Sequence, residues 1–446
     1  MTGAIQLRAW GGFLASISAA AGSLAGNFTW IIAGNVIYAA CQWGLVTVLA
    51  KLGDTVMLGQ YALGLAISAP ILTLVQMNLK SVLVADGPPR RGFGEYLTLR
   101  LAFTAAGTLI ILGIGFAGSY STITRAVIVV VGVSQAVEGI SDIYYGLLQK
   151  QENMRPIALS MIGRGLLSVS GMAAAVSLTH SALWGAAWTV VARALVLIFW
   201  DIPQARYRRV VRPGIWTLLR SQSKLAATAF PLGVVLMLGT LAANLPRYAI
   251  GKHRGLAELG LFAAVSSLIS VGSTLMNALG TCAMPRLVKL HQHQRRREFA
   301  SLAVALVLCG GLAGLVGILA AGAVGGPVLA LLFRKEYAGS QALLVDMMIV
   351  GTVSYLAQGA GYVATALGAF WSQVPAVAGG AIVSAGLSFI LIPRLGLSGG
   401  ACAIGIASAV QFAGTAAVSI RALRKPRRAA IPQDGTPIEN CGREVC

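Results

Sequence analysis

The sequence predicts an all-α membrane protein of about twelve transmembrane helices, arranged as two six-helix bundles related by a pseudo-twofold axis along the membrane normal. Three observations carry that expectation. Of the 446 residues, 57% are hydrophobic and 11% charged, and the mean hydropathy is +0.77. A water-soluble chain of this size could not keep its exterior wet with so few charges, so lipid must be the solvent for much of it. The chain also divides into regularly spaced apolar stretches, and its two halves echo each other.

A spanning helix needs about 20 mostly apolar residues. Twelve such stretches occur, at roughly 29–50, 58–80, 97–117, 123–147, 157–178, 182–200, 225–247, 258–281, 300–323, 342–367, 373–392 and 398–420. The 54 glycines suit helices that approach one another closely. Residues 11–25 are weakly apolar and rich in Gly, Ser and Ala, more in keeping with an interfacial helix than with a signal peptide or an extra span. The expected organisation is an interfacial N-terminal segment (1–28), a first bundle (29–200), a basic linker (201–224), a second bundle (225–421) and a polar, disordered tail (422–446). With the N-terminus in the cytoplasm, 25 of the 34 Lys and Arg residues fall on inner segments and 8 on outer ones, with Arg193 inside a span. That asymmetry puts both termini in the cytoplasm.

The net charge of +20 is broken into short clusters between apolar segments. Such clusters orient helices and meet anionic lipid headgroups, and they do not form the continuous patch that nucleic acid requires. The six cysteines lack the spacing of a disulfide framework or a metal site. His291 and His293 lie two apart, which points them to different faces of a helix. No phosphate-cradling glycine loop with its lysine, zinc motif or serine-hydrolase elbow is present, so no cofactor is implied and the chain reads as a transporter rather than an enzyme.

The internal echo is short. Lys51 is followed by Leu58-Gly59-Gln60-Tyr61-Ala62, and Arg247 is followed by Leu259-Gly260-Leu261-Phe262-Ala263. Each half thus ends its first helix on a basic residue and opens its second with Leu-Gly-x-aromatic-Ala. Six helices per half is an even number, so the halves share one orientation, with a site expected between them.

These same residues carry a family resemblance. Ala50-Lys51-Leu52-Gly53 through Gly59-Gln60-Tyr61-Ala62, and Asn244-Leu245-Pro246-Arg247-Tyr248 with Leu259-Gly260-Leu261-Phe262, resemble the Wzx-type oligosaccharide flippases. The run from Glu138 to Gln149 (EGISDIYYGLLQ) with Met154-Arg155-Pro156-Ile157-Ala158 is similar to that family's fourth helix and the loop after it. Leu332-Phe333-Arg334-Lys335-Glu336-Tyr337-Ala338 resembles the loop before its tenth. The resemblance spans about residues 27–421 and implies the multidrug/oligosaccharidyl-lipid/polysaccharide exporter architecture, two six-helix bundles forming a V around a central cavity. It also implies a substrate, undecaprenyl-pyrophosphate-linked sugar repeat units carried from the inner to the outer leaflet for surface or exo-polysaccharide biosynthesis. Polysaccharide polymerase and chain-length machinery are the implied partners, beside the membrane lipids.

Such a substrate joins a hydrated, doubly charged headgroup to a long apolar tail. Arginine suits the headgroup, because it stays charged and offers a planar fork to phosphate oxygens. At a helix centre it costs about 2.5–3.5 kcal/mol on insertion scales, so each intramembrane arginine needs a reason. Arg193, deep in the sixth span, reads either as a cavity contact for pyrophosphate or sugar or as half of a structural ion pair. Lys51 and Arg247, at the outer ends of pseudo-equivalent helices, could guide the headgroup or close an outer gate, or they could snorkel to the interface. Arg164 either snorkels or pairs with Glu138 or Asp142. Glu138, Asp142 and Tyr145, with Ser134 before them, form a polar stripe on one helix face. The stripe could bind a coupling ion, meet sugar hydroxyls or neutralise the arginines, and Asp346 is a further coupling candidate. The tryptophans Trp30, Trp43, Trp184, Trp188 and Trp371 read mainly as an interfacial belt.

Two rival functions fit less well. A multidrug or cation exporter of the same architecture wants acids along its cavity, and the first helix has none. A polysaccharide polymerase or ligase needs a large outer loop, and every outer connection here is short.

Overall fold

The computed structural model describes residues 29–85, 92–205, 215–369 and 371–424. The expected N-terminal segment 1–28, positions 206–214 of the linker and the tail from 425 onward lie outside the described residues. Among the described residues every element is helical, and eleven spans are long and apolar enough to cross a membrane. The remaining expected stretch, 225–247, lies within one 39-residue helix.

In chain order the helices are α1 (Thr29–Leu52), α2 (Thr55–Gln76), α3 (Leu79–Ala85), α4 (Phe93–Ala117), α5 (Thr122–Lys150), α6 (Met154–Thr179) and α7 (Ala182–Val196). Then follow α8 (Ile215–His253), α9 (Leu256–Ser267), α10 (Ile269–Gln292), α11 (Arg296–Leu332), α12 (Gln341–Ala366), α13 (Val374–Leu395) and α14 (Leu397–Arg424). A π turn (Leu197–Asp201) and one more short helical stretch (Ile202–Gln204) prolong α7. Helix therefore enters both ends of the stretch 201–224 that the sequence marks as a linker. The spans alternate in direction, so α1 begins and α14 ends on one face, here termed the terminal face.

Local chemistry explains where the helices start and turn. Asp54 caps α2, its carboxylate accepting from Met57 N at 2.6 Å, and Ser121 caps α5 through Thr124 N at 3.3 Å. Both satisfy an amide that a helix start leaves without a partner. Gly255, at φ 90, reverses the chain between α8 and α9 in a conformation that side chains resist. Val324 breaks the helical dihedrals of α11 three residues before Pro327, whose ring removes a hydrogen bond and crowds the preceding turn.

The same packing scheme occurs twice. In the first lobe α2 and α4 pack on α5, α5 packs on α7, and α6 packs on α7. In the second, α10 and α11 pack on α12, α12 on α14, and α13 on α14. Gly34 of α1 lies against Ala158 of α6, as α8 lies against α13. Each helix thus has a counterpart with matching neighbours, the arrangement expected of a pseudo-twofold repeat.

The lobes meet where the repeated sequence lies. A Cβ on Gly59 would fall 1.9 Å from the Leu256 carbonyl oxygen, and one on Gly260 would fall 1.9 Å from that of Thr55. The two Leu-Gly-x-aromatic-Ala segments therefore cross main chain to main chain, which only glycine permits at both positions. Beside them Tyr248 donates its hydroxyl to the Ala66 carbonyl, and Arg334 Nε donates to the Lys51 carbonyl at 2.9 Å. A single apolar cluster joins Leu45, Leu49 and Leu58 to Leu259, Phe262 and Met347 across this junction. Toward the terminal face the cores are separate. There the lobes keep contact through α8, where Gly233 approaches the end of α2 and Gln222 Nε2 donates to Thr98 Oγ1 at 2.7 Å.

Candidate functional site

The polar stripe on α5 faces a cavity of 830 Å³ walled by α1, α2, α3, α5, α6 and α7. Its lining runs from Val46 and Tyr61, each six residues from the far end of its helix, to Ile31, Lys80 and Gln149 at the terminal ends. The cavity thus reaches the terminal face, and the apolar junction between the lobes closes the opposite end. All of the lining comes from the first lobe, so this charged site is built by one bundle rather than shared between two.

Glu138 is its centre. One carboxylate oxygen lies 3.0 Å from Arg193 Nη1 and the other 3.5 Å from Arg164 Nη2. Tyr38 donates its hydroxyl to Glu138 and accepts from Gln42 Nε2 at 2.5 Å. Both arginines are buried, at 2% and 3% exposure, while the Glu138 side chain keeps 27% of its surface open to the cavity. Arg193 thus lines the cavity and pairs with an acid on the neighbouring helix. Arg164 pairs with Glu138 rather than snorkelling, and its guanidinium lies over the rings of Tyr38 and Tyr145 at 4.7 and 5.6 Å. Two buried cations on one carboxylate is an unbalanced arrangement, and it leaves Arg164 Nε and Nη1 and Arg193 Nε without acceptors.

One turn further along α5, Asp142 repeats the pattern with Lys80 Nζ at 3.1 Å and Arg100 Nη2 at 3.4 Å. Arg100 is buried and also leaves Nε and Nη1 unpaired. Tyr145 completes the stripe, its hydroxyl 2.6 Å from Ser160 Oγ, which donates to Asp201 Oδ1 at 2.5 Å. The cluster sets four bases against three acids, and its donors outnumber its acceptors. An anion with several acceptor oxygens is the chemical complement of such a set.

The structure does not bring the other sequence candidates into this cluster. Lys51 sits at the far end of α1, thirteen residues and about 20 Å of helix beyond Tyr38. Its side chain is exposed, and only its carbonyl is engaged. Arg247 is half-buried on α8, bonds Asn244 Oδ1 at 3.1 Å and has no acidic partner among the described residues. Asp346 accepts from Ser398 Oγ at 2.7 Å inside the second lobe.

Four members of the cluster escape sequence reading. Lys80 and Arg100 look like interfacial charges at span ends, and Asp201 looks like the first residue of a linker. Tyr38 looks like one aromatic among many. The π turn carries Asp201 into the bundle with 0% exposure. Such turns often mark functional positions.

Comparison with known proteins places this geometry in context. The model of a family described as "polysaccharide biosynthesis protein" matches residues 24–291. The capsular polysaccharide biosynthesis protein CapF of Staphylococcus aureus is 24% identical over 388 residues, covering 86% of this chain and 96% of CapF. Among solved structures, the lipid II flippase MurJ in an inward closed conformation superposes with a TM-score of 0.69 at 9% identity, covering 87% of this chain and 90% of MurJ. An inward-facing MATE family multidrug resistance transporter of the MOP superfamily gives 0.62 at 12% identity, covering 88% and 94%. The two-lobed helical fold is common to all of these structures.

Proposed function

We propose that this chain, which belongs to the polysaccharide biosynthesis protein family, flips polyprenyl-pyrophosphate-linked oligosaccharide repeat units across the bacterial inner membrane. The observation that carries this reading is the base-rich cavity of the first lobe, where Arg164 and Arg193 share one carboxylate and keep spare donors. A pyrophosphate diester brings two negative charges and several acceptor oxygens, enough to engage those donors without displacing every acid. The polyprenyl tail stays in lipid outside the bundle, and the sugars enter with the phosphates.

The excess of Lys and Arg on the terminal face supports a cytoplasmic assignment for that face. The cavity then faces the leaflet where lipid-linked sugars are assembled. Release on the other side requires the Gly59–Gly260 crossing to part while the terminal ends close, an alternation for which the repeated packing scheme provides two similar rigid bodies. Lipid-linked repeat units are the cargo, and the polymerase acting on them is the expected partner.

The test uses a deletion strain. Its lipid-linked oligosaccharides are extracted, and spheroplasts are treated with a membrane-impermeant reagent that marks sugars. Complete units that accumulate yet stay unmarked support flipping as the lost step. Marked but unpolymerised units would move the function to polymerisation, and an unchanged profile would favour export of another solute.

A further inference from the structure

The second lobe holds its own pocket, of 250 Å³, between α8, α12, α13 and α14. Those helices are the pseudo-equivalents of α1, α5, α6 and α7, so the pocket is the counterpart of the first-lobe cavity. Its chemistry is opposite. Its polar lining consists of Ser354, Gln358, Ser384, Ser408 and Gln411, with no charged side chain, and the remainder is aliphatic or glycine.

Several of these groups have bonding capacity left over. Gln358 uses one amide atom on Ser273 Oγ at 3.1 Å, while its Oε1 is buried without a partner. Exchanging the amide oxygen and nitrogen would only exchange which atom is spare. The Gln411 side chain has no partner among the described residues. Ser354 and Ser408 lie 3.0 Å apart, so one hydroxyl donates to the other and the second proton remains available. Gly380 sits with its Cβ position 3.1 Å from the Ala407 carbonyl oxygen, so α13 and α14 pack main chain to main chain at that wall. A phosphate entering this pocket would lose its water and find no cation, and an acyl chain would bury the amides unpaired. A neutral ring bearing several hydroxyls, each able to donate and accept, meets both conditions.

We propose that this pocket binds a saccharide ring of the lipid-linked substrate, so that the first lobe recognises phosphate and the second recognises sugar. The inference rests on the flippase reading above and adds to it a location for sugar selectivity. A site built to hydrogen-bond hydroxyls discriminates strongly against a ligand that lacks them, because its own groups are then left unpaired.

The full chain, purified in lipid nanodiscs, is titrated with two probes. One is the lipid-linked repeat unit extracted from the producing cells, and the other is undecaprenyl pyrophosphate without sugar. The repeat-unit lipid should bind about tenfold more tightly or better. The Gln358→Leu/Gln411→Leu variant should bring that ratio to within about twofold, with the Kd for the sugar-free lipid unchanged. Gln411→Asn, which is one methylene shorter and keeps the amide, should lower the ratio part of the way and covers the case in which the double variant fails to fold. An equal affinity of the wild type for both probes, or a ratio that the variants leave intact, overturns the proposal while the flippase reading stands. Failure of the sugar-free lipid to bind, or binding indifferent to Arg193→Ala, overturns the flippase reading and this inference with it.

Discussion

The two lobes share one packing plan and differ in how they handle charge. In the first lobe the four ion pairs among the described residues all join different helices, tying α5 to α3, α4, α6 and α7 around a cavity. In the second lobe the ion pairs described are Arg254–Glu258 and Arg295–Glu298, within a turn of each other at exposed helix ends. Its pocket is lined by hydroxyls and amides instead. The scaffold therefore does not dictate the chemistry. Helix contacts made by small side chains repeat in both lobes, while the pocket linings differ, ionic in the first lobe and neutral in the second. Intramembrane charge is tolerated where partners and a polar cavity offset its desolvation, and the first lobe supplies both.

That contrast can be broken most severely at its ionic centre. Glu138→Ala leaves Arg164 and Arg193 buried without a counter-charge, and removing one partner of a buried pair costs about 3–5 kcal/mol. A large fall in thermal stability is expected, whereas truncating Gln411 in the neutral pocket should lower it by less than about 1 kcal/mol. Arg193→Ala keeps Glu138 paired with Arg164, so the protein should insert and fold while flipping in the spheroplast assay falls below detection.

The junction offers a sharper symmetry test. Gly59→Val and Gly260→Val each force a side chain into the opposing main chain, so both should prevent closure of the outer end. Cysteines introduced nearby should become reactive to an impermeant thiol reagent added from outside. The two substitutions should act alike, because the segments make the same contact from opposite sides. A strong effect from one glycine alone would break the pseudo-twofold account.

Smaller effects are expected at the cations outside the cluster. Arg247→Ala removes a half-buried charge held only by Asn244 and should slow transport several-fold at most, without loss of folded protein. Lys51→Ala should change flipping by less than about twofold, since Arg334 binds the carbonyl and not the side chain. If Lys51→Ala equalled Arg193→Ala, the charged path would have to include the far end of α1.

Much of this architecture is legible in the sequence, because apolar runs of membrane length have few alternative structures. The acids of α5 are legible too, since their spacing puts them on one face and the arginines that need them lie on the following spans. What escapes has physical reasons. Arg100 and Lys80 stand near span ends, where a charge usually reaches water, and only packing shows that they turn inward to Asp142. The division of α2 from α3 at Met77 and Asn78, both in the left-handed region, and the break between α9 and α10 at Leu268 carry no proline or glycine signal. The repeat around Gly59 and Gly260 is visible as a pattern, yet its meaning is an atomic contact between segments some two hundred positions apart. Charge alone groups Lys51 and Arg247 with Arg193, and the length of the helices separates them.

The π turn at Leu197–Asp201 has a geometric consequence. A π turn amounts to one residue more than an α-helical turn holds, and the wider turn absorbs it so that the helix on either side keeps its bearing. Wound as regular α-helix, the same five residues would carry Asp201 roughly a quarter turn further around the axis, away from Ser160. The regular helix would be the better helix and the worse clasp. An insertion that weakens local geometry has thus become the means by which a carboxylate from the end of the first lobe's last span reaches its interior.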